Sequence, residues 1–208
     1  LSNYLTTEIN HYQENTNNYI QPIKTHILGA FDDPIATLEA YLPEKISSKD
    51  TITIGETPLA IMQGRYIDHR TINTSWLATI LCKGFHPTSS LATACGMQTL
   101  MNLNRPSRII LASFLGFISK IVGIKGLFYR LAGQQARLID DITGTTPPYD
   151  KSIVLGPKDP HLFCMEASNK LGINVAVVDV NDLGKVKIIS ASHKSDLKAI
   201  QAALVSNP

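Results

Sequence analysis

The stretch from Val175 to Val178 constrains the fold more than any other part of the chain. It is a continuous run of apolar, mostly β-branched residues, and polar residues follow it directly. A strand that is apolar at every position is buried on both faces, which requires a sheet that helices cover on each side. The run therefore predicts a buried strand over residues 174–180 in an α/β or α+β protein with a mixed sheet.

Turn and cap signals divide the rest of the chain. Further strands are predicted, interspersed with helices, over residues 20–28, 51–62, 151–155 and 185–190. Asp33-Pro34 and Asp159-Pro160 each place a capping carboxylate before a proline, a pair that favours a helix start. The last helix is predicted to be capped by Ser195. The pattern predicts a polar leader over residues 1–19 and a single domain over residues 20–208.

The overall composition excludes several classes of protein. The 208 residues are 44% hydrophobic and 17% charged, and the net charge is +2, with the 19 basic residues scattered. A nucleic-acid-binding protein would have a concentrated basic surface. The three cysteines lack CxxC spacing, which argues against a disulfide framework and a structural zinc site. A reducing cytoplasm fits these cysteines best. The first residues lack the basic region and apolar block of a secretory signal.

An apolar segment over residues 105–130 leaves three interpretations open. Ile109–Phe128 is about as long as the hydrocarbon core of a bilayer requires, but Lys120, Lys125 and three glycines interrupt it. The segment is consistent with a helix buried in protein, a helix on a membrane surface or a membrane span. Arginines at 105, 108 and 130 flank it and keep the membrane-surface interpretation open.

Residues 128–160 combine polar side chains with residues that break regular structure. Asp140 and Asp141 precede the turn-forming run TGTTPP, and the segment ends in GPKDP, which includes Lys158. The prolines restrict the backbone, so the segment is predicted to be a rigid, exposed connection rather than core. Rigid loops with carboxylates, hydroxyls and a lysine are suited to hold phosphates and metal ions. The alternative is a linker with no ligand.

Acidic residues also follow the predicted central strand. Asp179, Asn181 and Asp182 lie where strands of open α/β sheets end and ligands bind, and their oxygen atoms suit Mg²⁺ or Mn²⁺. A hairpin turn into the next strand explains them equally well.

Four further residues carry polar groups that could serve a site. Lys24 and Thr25 could meet a phosphate, although no glycine-rich loop accompanies them. Glu56 and Arg65 are the only charges in the apolar stretch around 51–65. Each of them could face a functional site, or it could be a solvated charge at the end of a strand.

Several segments, in this order and spacing, resemble the coenzyme F420-0:γ-glutamyl ligase family. They are Pro22–Thr25, Asp32-Asp33, the S-x-x-D-T-I-T-I segment at 47–54 with Gln63-Gly64-Arg65, FYRLAGQQARLIDD at 128–141, LGPKDP at 155–160 and VDVNDLG at 178–184. The resemblance covers nearly the whole chain from about residue 20, and depends on the order of the segments rather than on any one of them.

The resemblance implies a ligase-like fold and a ligase activity. Members of that family use GTP and a divalent metal ion, Mg²⁺ or Mn²⁺, to join glutamate through its amino group to a small carboxylate, a coenzyme F420 precursor, and typically work as homodimers. For this chain the candidate metal ligands are Asp140, Asp141, Asp179 and Asp182. The candidate phosphate-binding residues are Lys24, Thr25 and Lys158, and no catalytic residue is singled out.

Two motifs of that family, Asp-x-Ser-Asn and Ser-Asp-Thr-Phe-Gly-Arg, are absent from the sequence. Their absence leaves an alternative function open. The chain would then be a catalytically inactive, ligase-like binding or assembly protein, with residues 105–130 on a membrane surface.

Overall fold

The described part of the chain forms a mixed α/β structure in which two small sheets lie among eight α-helices. The structure, a computed structural model, describes residues 20–124, 126–140, 147–180 and 186–205. Its strands are β1 (Thr51–Gly55), β2 (Tyr66–Asp68), β3 (Ser152–Val154), β4 (Asn174–Val180) and β5 (Val186–Ala191). Its α-helices are α1 (Pro34–Ala40), α2 (Glu56–Met62), α3 (Trp76–Leu81), α4 (Ala94–Leu103), α5 (Pro106–Ile121), α6 (Leu127–Ala132), α7 (Pro160–Leu171) and α8 (Leu197–Val205). Short 3₁₀ helices cover His69–Thr71, Cys82–Gly84, Ser90–Ala92 and Gln134–Arg137.

The larger sheet has the order β1-β4-β5, with β4 in the centre as the apolar run predicts. β1 pairs with β4 in parallel, and β4 pairs with β5 antiparallel. Val175 and Val177 point to one face, where α2 and α7 cover them, while Ala176 and Val178 point to the other, where they meet α8. β2 and β3 form a separate antiparallel pair. The general prediction of a mixed α/β or α+β protein is confirmed.

A second core lies among the helices that stand between β2 and β3 in the sequence. Its fully buried side chains include Leu91, Met97, Leu100 and Ile109, and Ile153 of β3 packs into the same cluster. β3 thereby connects this helical core to the region of the larger sheet.

Two of the predicted strands are wrong in whole or in part. Residues 20–28 form no strand: Ile27 is 75% exposed, and the His26 amide donates to the Tyr41 hydroxyl rather than to a neighbouring strand. Residues 51–62 begin as β1 but continue as α2. The apolar run of α2 is short, and a run of that length does not distinguish a buried strand from a buried helix.

The predicted helix caps have mixed outcomes. Asp33 caps α1, since its Oδ1 accepts from the Ala36 amide at 2.7 Å. Asp159 precedes α7 but adopts a left-handed conformation, with φ of 43°, and its side chain makes no cap hydrogen bond. α8 is capped by Asp196 rather than Ser195, because Asp196 Oδ1 accepts from the amides of Lys198 and Ala199.

The apolar segment at 105–130 is divided between two helices. α5 and α6 are separated by a turn and lie against each other, with Gly116 at the contact, where an added Cβ would be 2.8 Å from Phe128 Cβ. In the part of the chain that the structure describes, no helix combines the length and the apolar character that crossing a bilayer would need.

The segment at 128–160 is less exposed than predicted. Residues 152–157, which include β3, are buried. Gly156 approaches Leu138 so closely that an added Cβ would lie 2.5 Å from Leu138 Cβ, so only glycine fits there. Residues 141–146, which contain Asp141 and most of the proline-rich turn, lie outside the described residues.

Candidate functional site

The carboxyl ends of β1 and β4 bring acidic side chains to one edge of the sheet. The two strands are parallel neighbours, and Gly55 pairs with Val178. The next residues along the chain are Glu56, the first residue of α2, and Asp179, which still belongs to β4, so both lie at the same end of the sheet. Sequence reasoning placed Asp179 at a strand end, and the pairing of β1 with β4 adds Glu56 beside it.

Glu56 is the most unusual side chain of this edge. It is 8% exposed, and its Oε2 atom is buried without a hydrogen-bond partner among the described residues. Burial and, to a smaller extent, the negative charges of Asp179 and Asp140 raise the pKa of Glu56, Lys187 lowers it, and the net result is a pKa of about 8. At neutral pH Glu56 is therefore mostly a neutral carboxylic acid.

Asp140 reaches the same place from a distant part of the sequence. Its backbone forms an isolated antiparallel bridge with Val154, through hydrogen bonds of 2.8 and 2.9 Å. The Thr57 hydroxyl donates to Asp140 Oδ2 at 2.6 Å. Burial raises the pKa of Asp140, the hydrogen bond from Thr57 lowers it, and the charge of Asp179 raises it. Glu56, Asp140 and Asp179 are called the carboxylate edge below.

Asp179 joins the carboxylate edge to a basic surface. It pairs with Lys187 across the β4–β5 ladder, with 3.9 Å between Asp179 Oδ2 and Lys187 Nζ. Both side chains are more than a third exposed, so the ion pair contributes little stability. The Asp179–Lys187 pair matters for the site because it lies between the carboxylate edge and a group of basic side chains.

Lys187 lines an open cleft of about 380 Å³ together with Arg130 and Arg137. The remaining lining residues are neutral: Tyr129, Gly133, Gln134, Leu138, Ile188 and Ile189. Neither arginine forms a salt bridge within the described residues. Three cationic side chains without a carboxylate among the lining residues suit an anionic ligand, and guanidinium groups match phosphate and carboxylate geometry. This cavity is called the basic cleft below.

The predicted phosphate-binding residues lie elsewhere. Lys158 lines a second cleft, of about 480 Å³, which has mixed charge and includes Asp33, Arg65 and Glu166. The backbone of Lys158 is held by Gln63, whose amide side chain accepts from its N–H at 2.7 Å and donates to its carbonyl at 3.0 Å.

Arg65 shapes this second cleft rather than presenting its charge freely. Its Nε donates to the Gly156 carbonyl at 2.6 Å, and its Nη2 lies 3.5 Å from Gln135 Oε1. The guanidinium therefore fixes the buried segment at 155–157 that follows β3.

Lys24 and Thr25 line neither cleft. The Thr25 hydroxyl donates to the carbonyl of His26 at 2.9 Å, and both side chains lie on the exposed segment before α1. No contact with the carboxylate edge is found for them among the described residues.

The metal prediction is met only in part by the described residues. Asp140 and Asp179 are brought to one edge, whereas Asp141 and Asp182 lie outside the described residues. Across residues 20–124, 126–140, 147–180 and 186–205, no group of three or more His, Cys, Asp and Glu side chains is spaced to hold a metal ion. The metal site stays a prediction.

Fold and site together define a mixed α/β chain with a carboxylate edge beside a basic cleft. No protein-family model matches the chain, and no curated protein matches it. The resemblance to the γ-glutamyl ligase family therefore stays a prediction.

Proposed function

We propose that the chain is a ligase of the kind it resembles, which binds a nucleoside triphosphate such as GTP with a divalent cation and joins an amino acid to a small carboxylate. One observation carries the proposal. Lys187 of the basic cleft and Asp179 of the carboxylate edge are opposite each other on β4 and β5, which sets anion-binding and cation-binding groups side by side. A triphosphate with its metal ion requires both.

The basic cleft supports the binding of the phosphates. Arg130, Arg137 and Lys187 offer it charge-assisted hydrogen bonds and an excess of positive potential. These three residues replace Lys24, Thr25 and Lys158 as our first candidates for phosphate binding. Lys24 and Lys158 are replaced in control variants of the GTP-binding experiment below.

The carboxylate edge supports the binding of Mg²⁺ or Mn²⁺. Carboxylate oxygen atoms are the hard ligands these ions prefer. Asp140 and Asp179 would contribute two ligands, and Asp141 and Asp182 are the sequence-based candidates for the remaining ligands. A bound ion would neutralise charge on the phosphates.

Glu56 is also suited to move a proton in such a reaction. A pKa of about 8 places its change of protonation close to neutral pH. Once deprotonated, it can accept a proton from the ammonium group of the amino-acid substrate, so that the amine becomes a nucleophile. An ordinary exposed glutamate, with a pKa of about 4.3, is too weak a base for this step.

Isothermal titration calorimetry with GTP, in the presence and absence of Mn²⁺, tests the binding part. We expect Arg137→Gln and Asp179→Asn each to weaken Mn²⁺-dependent GTP binding at least about tenfold, which corresponds to about 1.4 kcal/mol. Lys24→Gln and Lys158→Gln serve as matched charge-removing controls and should leave binding unchanged. Unchanged affinity in both Arg137→Gln and Asp179→Asn contradicts the proposed site.

Turnover tests the ligase part. Phosphate release from GTP is measured with glutamate and a small carboxylate acceptor, and it should require both. Glu56→Gln should lower kcat at least about tenfold while GTP affinity changes less, because the variant keeps the shape of the side chain but cannot accept a proton. Equal kcat in Glu56→Gln and the native protein rules out the role assigned to Glu56.

A further inference from the structure

One side of α5 exposes a row of large apolar residues to solvent. They are Ile110, Leu111, Phe114, Phe117, Ile118 and Ile121, with exposures from 41% to 71%. Their spacing repeats at three, four and seven positions, so they share one side of the helix. This row is called the outer face of α5. Large contiguous apolar patches of this kind on a protein surface mark interaction sites.

The opposite side of α5 is fixed in the core, so the outer face cannot be a consequence of loose packing. Ile109 and Ala112 are fully buried, and Ser119 is 4% exposed. Gly116 allows Phe128 of α6 to approach closely. Rotation of the helix to hide its outer face would expose these residues instead.

Charge in this part of the chain has one sign only. Residues 69–139 contain no Asp or Glu, although the whole chain has 17 acidic residues. The same segment contains eight basic residues: Arg70, Lys83, Arg105, Arg108, Lys120, Lys125, Arg130 and Arg137. Ideal helical spacing places Arg108 and Lys120 on the two borders of the outer face. The apolar row is therefore bordered by positive charge.

We propose that the outer face of α5 docks on a bilayer that contains anionic phospholipids. The helix lies parallel to the surface, its apolar side chains enter the boundary of the acyl chains, and basic residues meet lipid phosphates. At 16 residues, α5 is about 24 Å long, which suits a helix that lies on the surface. The proposal does not depend on the proposed ligase activity.

Charge complementarity favours this partner over a second copy of the chain. A two-fold dimer through the outer face would bring each basic border against its equivalent. The segment has no carboxylate to pair with those cations, so like charges would repel. An anionic lipid surface satisfies the apolar row and the basic borders together.

Co-sedimentation of the full chain with vesicles tests the proposal. We expect strong binding to phosphatidylcholine vesicles with about a third phosphatidylglycerol, much weaker binding to pure phosphatidylcholine vesicles, and a decrease as salt is added. The double variant Leu111→Ser, Ile118→Ser should lose about tenfold in partitioning, because it removes two anchoring side chains.

Two further variants distinguish binding through the outer face of α5 from non-specific binding through other exposed apolar residues. The double variant Leu162→Ser, Leu197→Ser removes two comparably exposed leucines, 54% and 51%, from α7 and α8 and should bind as the native protein does. Lys120→Glu should reduce binding to the anionic vesicles about fivefold or more, because it reverses a charge at the border. Circular dichroism of each variant verifies that the fold is retained.

Three outcomes overturn the proposal. The first is negligible binding of the native protein to anionic vesicles, and the second is equal binding to neutral and anionic vesicles. The third is a native dimer, seen by analytical ultracentrifugation, that Leu111→Ser, Ile118→Ser converts to a monomer, which would assign the outer face to a second copy of the chain.

Discussion

The carboxylate edge buries a polar side chain, whereas the outer face of α5 exposes apolar side chains to solvent. At the carboxylate edge a glutamate is 8% exposed with an orphaned oxygen, whereas on α5 Phe117 is 64% exposed. Burying a carboxyl group and leaving an aromatic ring in water both cost stability relative to the reverse arrangement. The comparison teaches where the chain departs from ordinary burial, and our two proposals assign these departures to a charged ligand at the carboxylate edge and to an anionic lipid surface at α5.

The largest expected effect comes from Glu56→Gln, which removes the titrating group from the carboxylate edge. The folded-state pKa, about 8, lies above the ordinary value of 4.5, so the folded chain keeps a proton that the unfolded chain releases as the pH rises between them. Stability contributed by the neutral form is therefore lost across that window. We expect the native free energy of unfolding to fall by on the order of 3 kcal/mol from about pH 5 to about pH 8.

Urea denaturation across that pH range measures the effect. Glu56→Gln should be more stable than the native protein near neutral pH and should lose most of the pH dependence. Glu39→Gln is the matched control, since Glu39 is exposed and pairs with Lys170, and it should keep the native pH dependence. Identical pH profiles for the native protein and Glu56→Gln would contradict the burial of a titrating Glu56.

Two adjacent isoleucines of α5 test which side of this helix is buried and which is exposed. Ile109 is fully buried and Ile110 is 43% exposed. Ile109→Ala should reduce the free energy of unfolding by about 2–4 kcal/mol, because it leaves a cavity in a tightly packed core. Ile110→Ala should cost less than about 1 kcal/mol, because it removes a side chain that is already in water. Equal costs in urea denaturation would mean that α5 has a different orientation.

Thr57→Val sharpens the account of how Asp140 is held. The variant removes the hydroxyl that donates to Asp140 Oδ2 and leaves a half-buried acceptor without that partner. We expect a loss of about 1–2 kcal/mol in the free energy of unfolding. Thr53→Val, at an exposed position of β1, is the control. In an Asp140→Asn background the cost of Thr57→Val should shrink, and an undiminished cost would exclude the hydrogen bond as its cause.

The smallest expected effect on stability is that of Lys187→Gln. Its ion pair with Asp179 is long and largely solvated, so the free energy of unfolding should change by no more than about 0.5 kcal/mol. Because Lys187 lowers the pKa of Glu56, the variant should raise that pKa. A carboxyl titration by NMR measures the shift, and a lowered pKa would contradict the position assigned to Lys187.

The sequence predicted the centre of the fold and part of the site. β4 was predictable because four consecutive apolar residues require cover on both faces, and Asp179 followed from its place at the end of that strand. The cap of α1 by Asp33 was also predictable from local chemistry alone. In each case the signal lies within a few residues.

The rest depended on contacts between distant parts of the chain. Thr57 and Asp140 are 83 positions apart, so no local pattern could connect them. Glu56 lay beside an apolar run that was interpreted as a strand, and its burial became visible only with the pairing of β1 and β4. The outer face of α5 was hidden for a related reason: Ile109 and Ile110 are chemically alike, and only packing in the helical core decides which of them is buried.

The most direct test of the account is the pKa of the Glu56 side chain, measured by carbon-13 NMR titration of its carboxyl carbon and assigned by loss of the signal in Glu56→Gln. We expect a midpoint near 8, since the carboxyl is buried beside Asp179 and Asp140. A midpoint near the ordinary value of 4.5 would show that Glu56 is solvated and charged, and the carboxylate edge would then be ordinary surface.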